Sequence, residues 1–84
     1  MIHELKTWKE YFTIVFRGDK PFELRKNDRD FLAGHELLLK EYDNEKKQYT
    51  GRILHRRITY VYRGGEGGDF GLKEGYAILG LEKI

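Results

Sequence analysis

Residues 17–30, Arg-Gly-Asp-Lys-Pro-Phe-Glu-Leu-Arg-Lys-Asn-Asp-Arg-Asp, rule out a chain that is helical throughout. Gly18 is a left-handed helix stop, and Pro21 pushes Lys20 into an extended conformation. Any helix upstream has to end at this segment. Downstream, apolar residues recur at every second position, which is the period of a strand. The expected class is therefore α+β and mainly β, a small curved sheet or barrel with one helix across it.

Upstream, Trp8, Phe12, Val15 and Phe16 recur at helical spacing, and Tyr11 and Ile14 widen the apolar face. Thr7 and Glu10 have the spacing of a capping box. This predicts a short strand at 3–5 and a helix at 8–17. Beyond Pro21, Phe22, Leu24 and Lys26 share one face of a strand and Glu23 and Arg25 the other. Residues 31–34 read as a helical turn closed by Gly34, and 35–42 as a strand. A charged hairpin loop runs from Asp43 to Lys47. In a long strand at 52–62, Leu54, Arg56, Ile58, Tyr60 and Tyr62 fall on one face. Ile53, His55, Arg57, Thr59 and Val61 fall on the other. A glycine loop at 64–68, anchored by Phe70 and Leu72, precedes a last strand at 76–84 with Ala77, Leu79 and Leu81 on one face.

With 84 residues and no internal repeat, one domain covering 1–84 is expected. Cysteine is absent, so neither disulfides nor thiolate ligands can support the fold. No apolar run approaches the roughly 18–20 residues of a membrane helix. The N-terminal residues lack the order of a secretion signal, so no membrane association and a cytoplasmic location are expected. The net charge of +2 permits a phosphate-bearing partner without demanding one.

The charged segment contains Gly18-x-Lys20-x-x-Glu23-x-Arg25 between helix and strand. In that setting it resembles the signature of the activating-signal-cointegrator homology (ASCH) family. The wider run His3-Glu-Leu-Lys6, Tyr11-Phe12, Phe22-Glu23, Arg25-Lys-Asn-Asp-Arg29 and Tyr49-Thr-Gly-Arg52 is similar to a small bacterial and phage branch of unknown function. The resemblance implies a PUA-like β-barrel whose motif lines a cleft for RNA or a nucleotide. Lys20, Glu23 and Arg25 would face that cleft. Some relatives hydrolyse an acetylated cytidine and carry a threonine where this chain has Glu23. A small hydroxyl residue is also common where Pro21 stands, and an aspartate where His35 stands. These departures weigh against transferring the hydrolase activity.

From the residues themselves, Lys20 and Arg25 can each meet a phosphate, Arg25 as a planar fork. Glu23 can accept from an exocyclic base amine or hold Arg25 in place. A surface ion pair is the plainer alternative. Lys26 and Arg29 extend a phosphate track, and Asn27 with Asp28 shapes the turn. The expected nucleic-acid-binding set is Gly18, Lys20, Glu23, Arg25, Lys26, Asn27 and Arg29. No catalytic residue is assigned. If the chain were a hydrolase, Lys20 would act as base or nucleophile and Glu23 as proton shuttle. A protein-interaction module is a third reading. Arg52, Arg56 and Arg57 form a second basic cluster, read as a solvated strand end. His3, His35 and His55 have no paired-ligand spacing, so no metal or other cofactor is expected.

Overall fold

The computed structural model describes residues 1–65 and 71–84. Glu66 to Phe70, including part of the glycine loop and its Phe70 anchor, lie outside the described residues. The chain runs β1 (Ile2–Trp8), α1 (Lys9–Phe16), β2 (Phe22–Lys26), β3 (Glu36–Asp43), β4 (Gln48–Arg63) and β5 (Tyr76–Lys83). The strands form one sheet in the order β1-β3-β4-β5-β2. β1 pairs parallel with β3, and the other neighbours are antiparallel.

β1 and β2 are the two edges of this sheet, yet single side chains bridge them. Arg25 Nη2 donates to Lys6 O at 2.6 Å, and Arg29 Nη1 to Glu4 O at 2.8 Å. Edges this close require the sheet to curl into a barrel-like shape, in the sense its natural twist favours. The concave side holds the core. His3, Leu5 and Thr7 of β1, Leu37 and Leu39 of β3, Leu54 and Ile58 of β4, and Ala77 and Leu79 of β5 are buried there. α1 covers one end through Phe12 and Val15. Among the described residues no helix is long and apolar enough to cross a membrane.

Helix α1 occupies the expected place, with Trp8 and Arg17 as its flanking caps. The expected capping box does not form, because Trp8 is the N-cap and makes no side-chain cap bond. Thr7 belongs instead to a β1 longer than expected, and is buried on its inner face. Burial in the sheet has outweighed a local capping pattern. At the far end Gly18 takes φ +83°, as a helix stop requires.

Two other expectations change. Residues 31–34 form a reverse turn rather than a helical one: His35 N donates to Leu32 O at 3.0 Å and Gly34 has φ +93°. The regular alternation expected over 52–62 slips at Thr59, where the pairing with β5 shifts between Ile58 and Tyr60. The extra residue returns Val61 to the core and leaves Tyr60 exposed. Gly80 accommodates this bulge, since a Cβ there would lie 2.8 Å from Thr59 Oγ1.

Candidate functional site

The gap between the β1 and β2 edges is a cleft of about 590 Å³, closed at one end by the start of α1. Its position follows from the strand order, because among the described residues β1 and β2 are the two edges of the sheet. Period-two geometry sends Glu23 and Arg25 inward from β2, where they bond to each other and Arg25 reaches Thr7 of β1. Phe22 and Leu24 alternate with them, line the cleft at its rim and are 41% and 52% exposed.

Glu23 is the centre of this site. It is only 4% exposed. Its Oε2 accepts from Arg25 Nε at 3.0 Å, and its Oε1 lies 3.6 Å from Lys20 Nζ. Oε1 is buried and accepts no hydrogen bond. Arg25 also donates through Nη2 to Lys6 O and, at 3.4 Å, to Thr7 Oγ1. Arg25 is thus a clasp between the two edges, with its Nε and Nη2 engaged by the protein. Lys20 Nζ sits 5.1 Å from the Tyr11 ring centroid and 5.5 Å from that of Phe22. The arrangement sets a carboxylate in the wall of a cleft that is also lined by aromatic rings and cations. Chemically it suits a flat, partly apolar group that carries an N–H donor and has an anion attached.

Of the residues singled out from the sequence, Lys20, Glu23, Arg25, Lys26 and Arg29 line this cleft. Gly18 does not. It borders a smaller hollow on the other side of Lys20, of about 190 Å³. Asn27 is also outside: its Oδ1 accepts from Phe31 N at 3.3 Å and its N–H donates to Gly75 O at 2.8 Å, which fixes the turn. Trp8, Tyr11, Phe22 and Asp28 line the cleft as well, outside the expected binding set. The signal available for Tyr11 was its place three residues after Trp8 on the helix face. Nothing local distinguished Phe22 from a core residue.

The second basic cluster lies elsewhere. Arg52 rests over Phe12 and Phe16, at 5.0 and 5.2 Å, and reaches the buried Glu41 at 3.6 Å. Arg57 pairs with Glu82 at 3.3 Å.

His3 and His35, distant in sequence, are joined by a 3.0 Å bond between Nε2 and Nδ1. His3 also meets the edge of Phe31 at 4.8 Å. One imidazole must be neutral to accept this bond. Burial, then the charges of His35, Arg29 and the N-terminus, hold the His3 pKa below its usual 6.5. The unfolded chain therefore takes up a proton near pH 6.5 that the folded chain resists. Stability is expected to be full above pH 6.5 and to fall as pH drops below it. Urea midpoints at pH 7.5 and 5.0 check this, and His3→Gln is expected to flatten the difference.

Residues 2–81 match the family model described as Domain of unknown function (DUF3850). Over 60 residues the chain is 42% identical to a protein of Escherichia phage P2 described as an uncharacterized 12.9 kDa protein in the GpA 3' region. That match covers 71% of this chain and 53% of the phage protein. The chain spans about half the length of this curated relative.

Proposed function

We propose that this chain, which belongs to the DUF3850 family, is a nucleotide-binding module that receives a base and its phosphate in the β1–β2 cleft. The observation that carries this reading is Glu23 in the wall of a cleft that Tyr11 and Phe22 also line: its Oε1 accepts no hydrogen bond, and the Lys20 ammonium stands 3.6 Å from it. An exocyclic amine of a base supplies the missing donor, and the rings supply stacking surface. Lys20, Lys26 and Arg29 provide positive charge for the phosphate. Arg25, engaged with Glu23, Lys6 and Thr7, holds the cleft open at the right width rather than gripping phosphate. The motif from Gly18 to Arg25, set between a helix and a curled sheet, supports placing the domain beside the ASCH domains and their PUA-like barrels.

Titration calorimetry with AMP, CMP, GMP and UMP tests the reading. The three amine-bearing bases are expected to bind more tightly than UMP, and Glu23→Gln to erase that preference. A short RNA should lose affinity as salt rises, and Lys26→Ala should lower the log–log slope by about 0.7, the value for one phosphate contact on a single strand. Equal binding of all four nucleotides, or none, would count against it. The 3.6 Å approach of Lys20 to Glu23 also favours a second reading, a small hydrolase of acylated nucleosides or RNA. Turnover lost in Lys20→Ala would put that reading first.

A further inference from the structure

We infer that the partner is a single-stranded polynucleotide, whose flanking bases stack on the convex face of the sheet beside the cleft. This inference rests on the nucleotide reading of the cleft and extends it to a second surface. The register places Trp8 of β1 next to Tyr42 of β3, and Tyr42 next to Tyr49 of β4. Three aromatic residues thus occupy one row across three strands. Neighbouring strands lie about 4.8 Å apart, so the row spans roughly 10 Å. Trp8 is 46% and Tyr49 50% exposed, far more than a core role requires.

The row below carries Lys6 and Lys40, which are paired in register. Lys6 Nζ lies 4.4 Å from the Tyr42 ring, and Lys40 Nζ 5.0 Å from the Tyr49 ring. Lys40 also approaches Glu4 at 3.4 Å, a pair whose carboxylate is well exposed. Exposed cation–π contacts and exposed ion pairs are weaker than the stacking of a base on an aromatic ring. An arriving base is therefore able to displace each ammonium from its ring, and the freed lysine is already beside the phosphate of that nucleotide. Rings with interleaved cations are what sequence-tolerant single-strand binding needs. A duplex, with its bases stacked on one another, gives such rings nothing to stack on.

Continuity between the two surfaces identifies the occupant. Lys6 and Trp8 belong to this row pair and also line the cleft. A chain with one base held against Glu23 leaves the cleft at Trp8 and meets Tyr42 and Tyr49 next. RNA and DNA share the required chemistry, so both are compared.

The test measures fluorescence anisotropy of six-residue (CA)3 RNA and DNA, a 12-base-pair duplex of each type, and calorimetry with AMP. The expected result is at least about tenfold tighter binding of a hexamer than of AMP or the duplexes. Tyr49→Ala should weaken the hexamer about fivefold to tenfold and leave AMP unchanged. Tyr49→Phe, which keeps the ring, should retain hexamer affinity, and circular dichroism confirms that each variant folds. Hexamer affinity unaffected by Tyr49→Ala, or duplex binding as tight as the hexamer, overturns the inference while AMP binding leaves the cleft reading standing. Hexamer binding sensitive to Tyr49 without AMP binding has the opposite meaning: the aromatic row stands and the cleft reading falls. Absence of all binding removes both.

Discussion

Phe12→Ala is expected to lower the free energy of unfolding by about 3–5 kcal/mol. Phe12 is 1% exposed and is one of the two buried side chains by which α1 sits on the sheet. Truncation removes its transfer free energy and leaves a cavity that a short helix cannot fully close. It also removes a ring against which Arg52 packs, and Arg52 is the cation beside the buried Glu41. The Oε2 of Glu41 is already without a hydrogen bond, so a displaced Arg52 leaves that charge less compensated. In a domain of this size such a loss is a large share of a typical total of about 5–15 kcal/mol. It corresponds to a fall in Tm of the order of 20 °C. Urea denaturation measures the effect, with Phe12→Leu as the milder comparison. A loss below about 1 kcal/mol would mean that the helix does not seat through this ring.

Arg25→Ala is expected to cost about 2–3 kcal/mol and to abolish nucleotide binding. Breaking a fully buried ion pair costs roughly 3–5 kcal/mol, because the remaining charge is stranded. The Arg25 side chain is 25% exposed, so water screens part of that penalty. The same substitution deletes the bonds to Lys6 O and Thr7 Oγ1 that tie β2 to β1. The Arg29 bond to Glu4 O remains, but the edges lose the link at the centre of the cleft, and the cleft loses its width. Glu23→Gln separates the two effects. In the Arg25→Ala background it removes a carboxylate left with Lys20 as its cation and should recover part of the stability, but it should not recover binding. A double-mutant cycle reads this as a coupling energy between the two residues. Additive effects would show that Glu23 and Arg25 do not act as a pair.

Much of the fold was legible in the chain. Gly18 and Pro21 mark the end of the helix, and the apolar spacing of Phe12 and Val15 marks its buried face. Ala77, Leu79 and the half-buried Leu81 face inward from β5 as their alternation implies. What misled were local patterns overruled at a distance. Thr7 and Glu10 have the form of a cap, but Thr7 is held in a strand by its parallel pairing opposite Glu41. The faces of β4 change over at Thr59, where the facing Gly80 on another strand leaves room for an extra residue.

The candidate site divides along the same line. Two-residue periodicity alone determined that Glu23 and Arg25 share a face. It could not determine which pair is drawn in, and the greasier one, Phe22 and Leu24, is left about half exposed at the cleft rim. That choice belongs to the curl of the sheet. Strand order sends β1 and β2 to opposite edges, curvature returns those edges to within one arginine of each other, and the side chains caught between them become a cleft. No local stretch encodes that meeting, because it depends on pairings between residues dozens of positions apart. The chain by itself supplied the chemistry of the site, and closure of the sheet decided that this chemistry faces a hollow rather than the solvent.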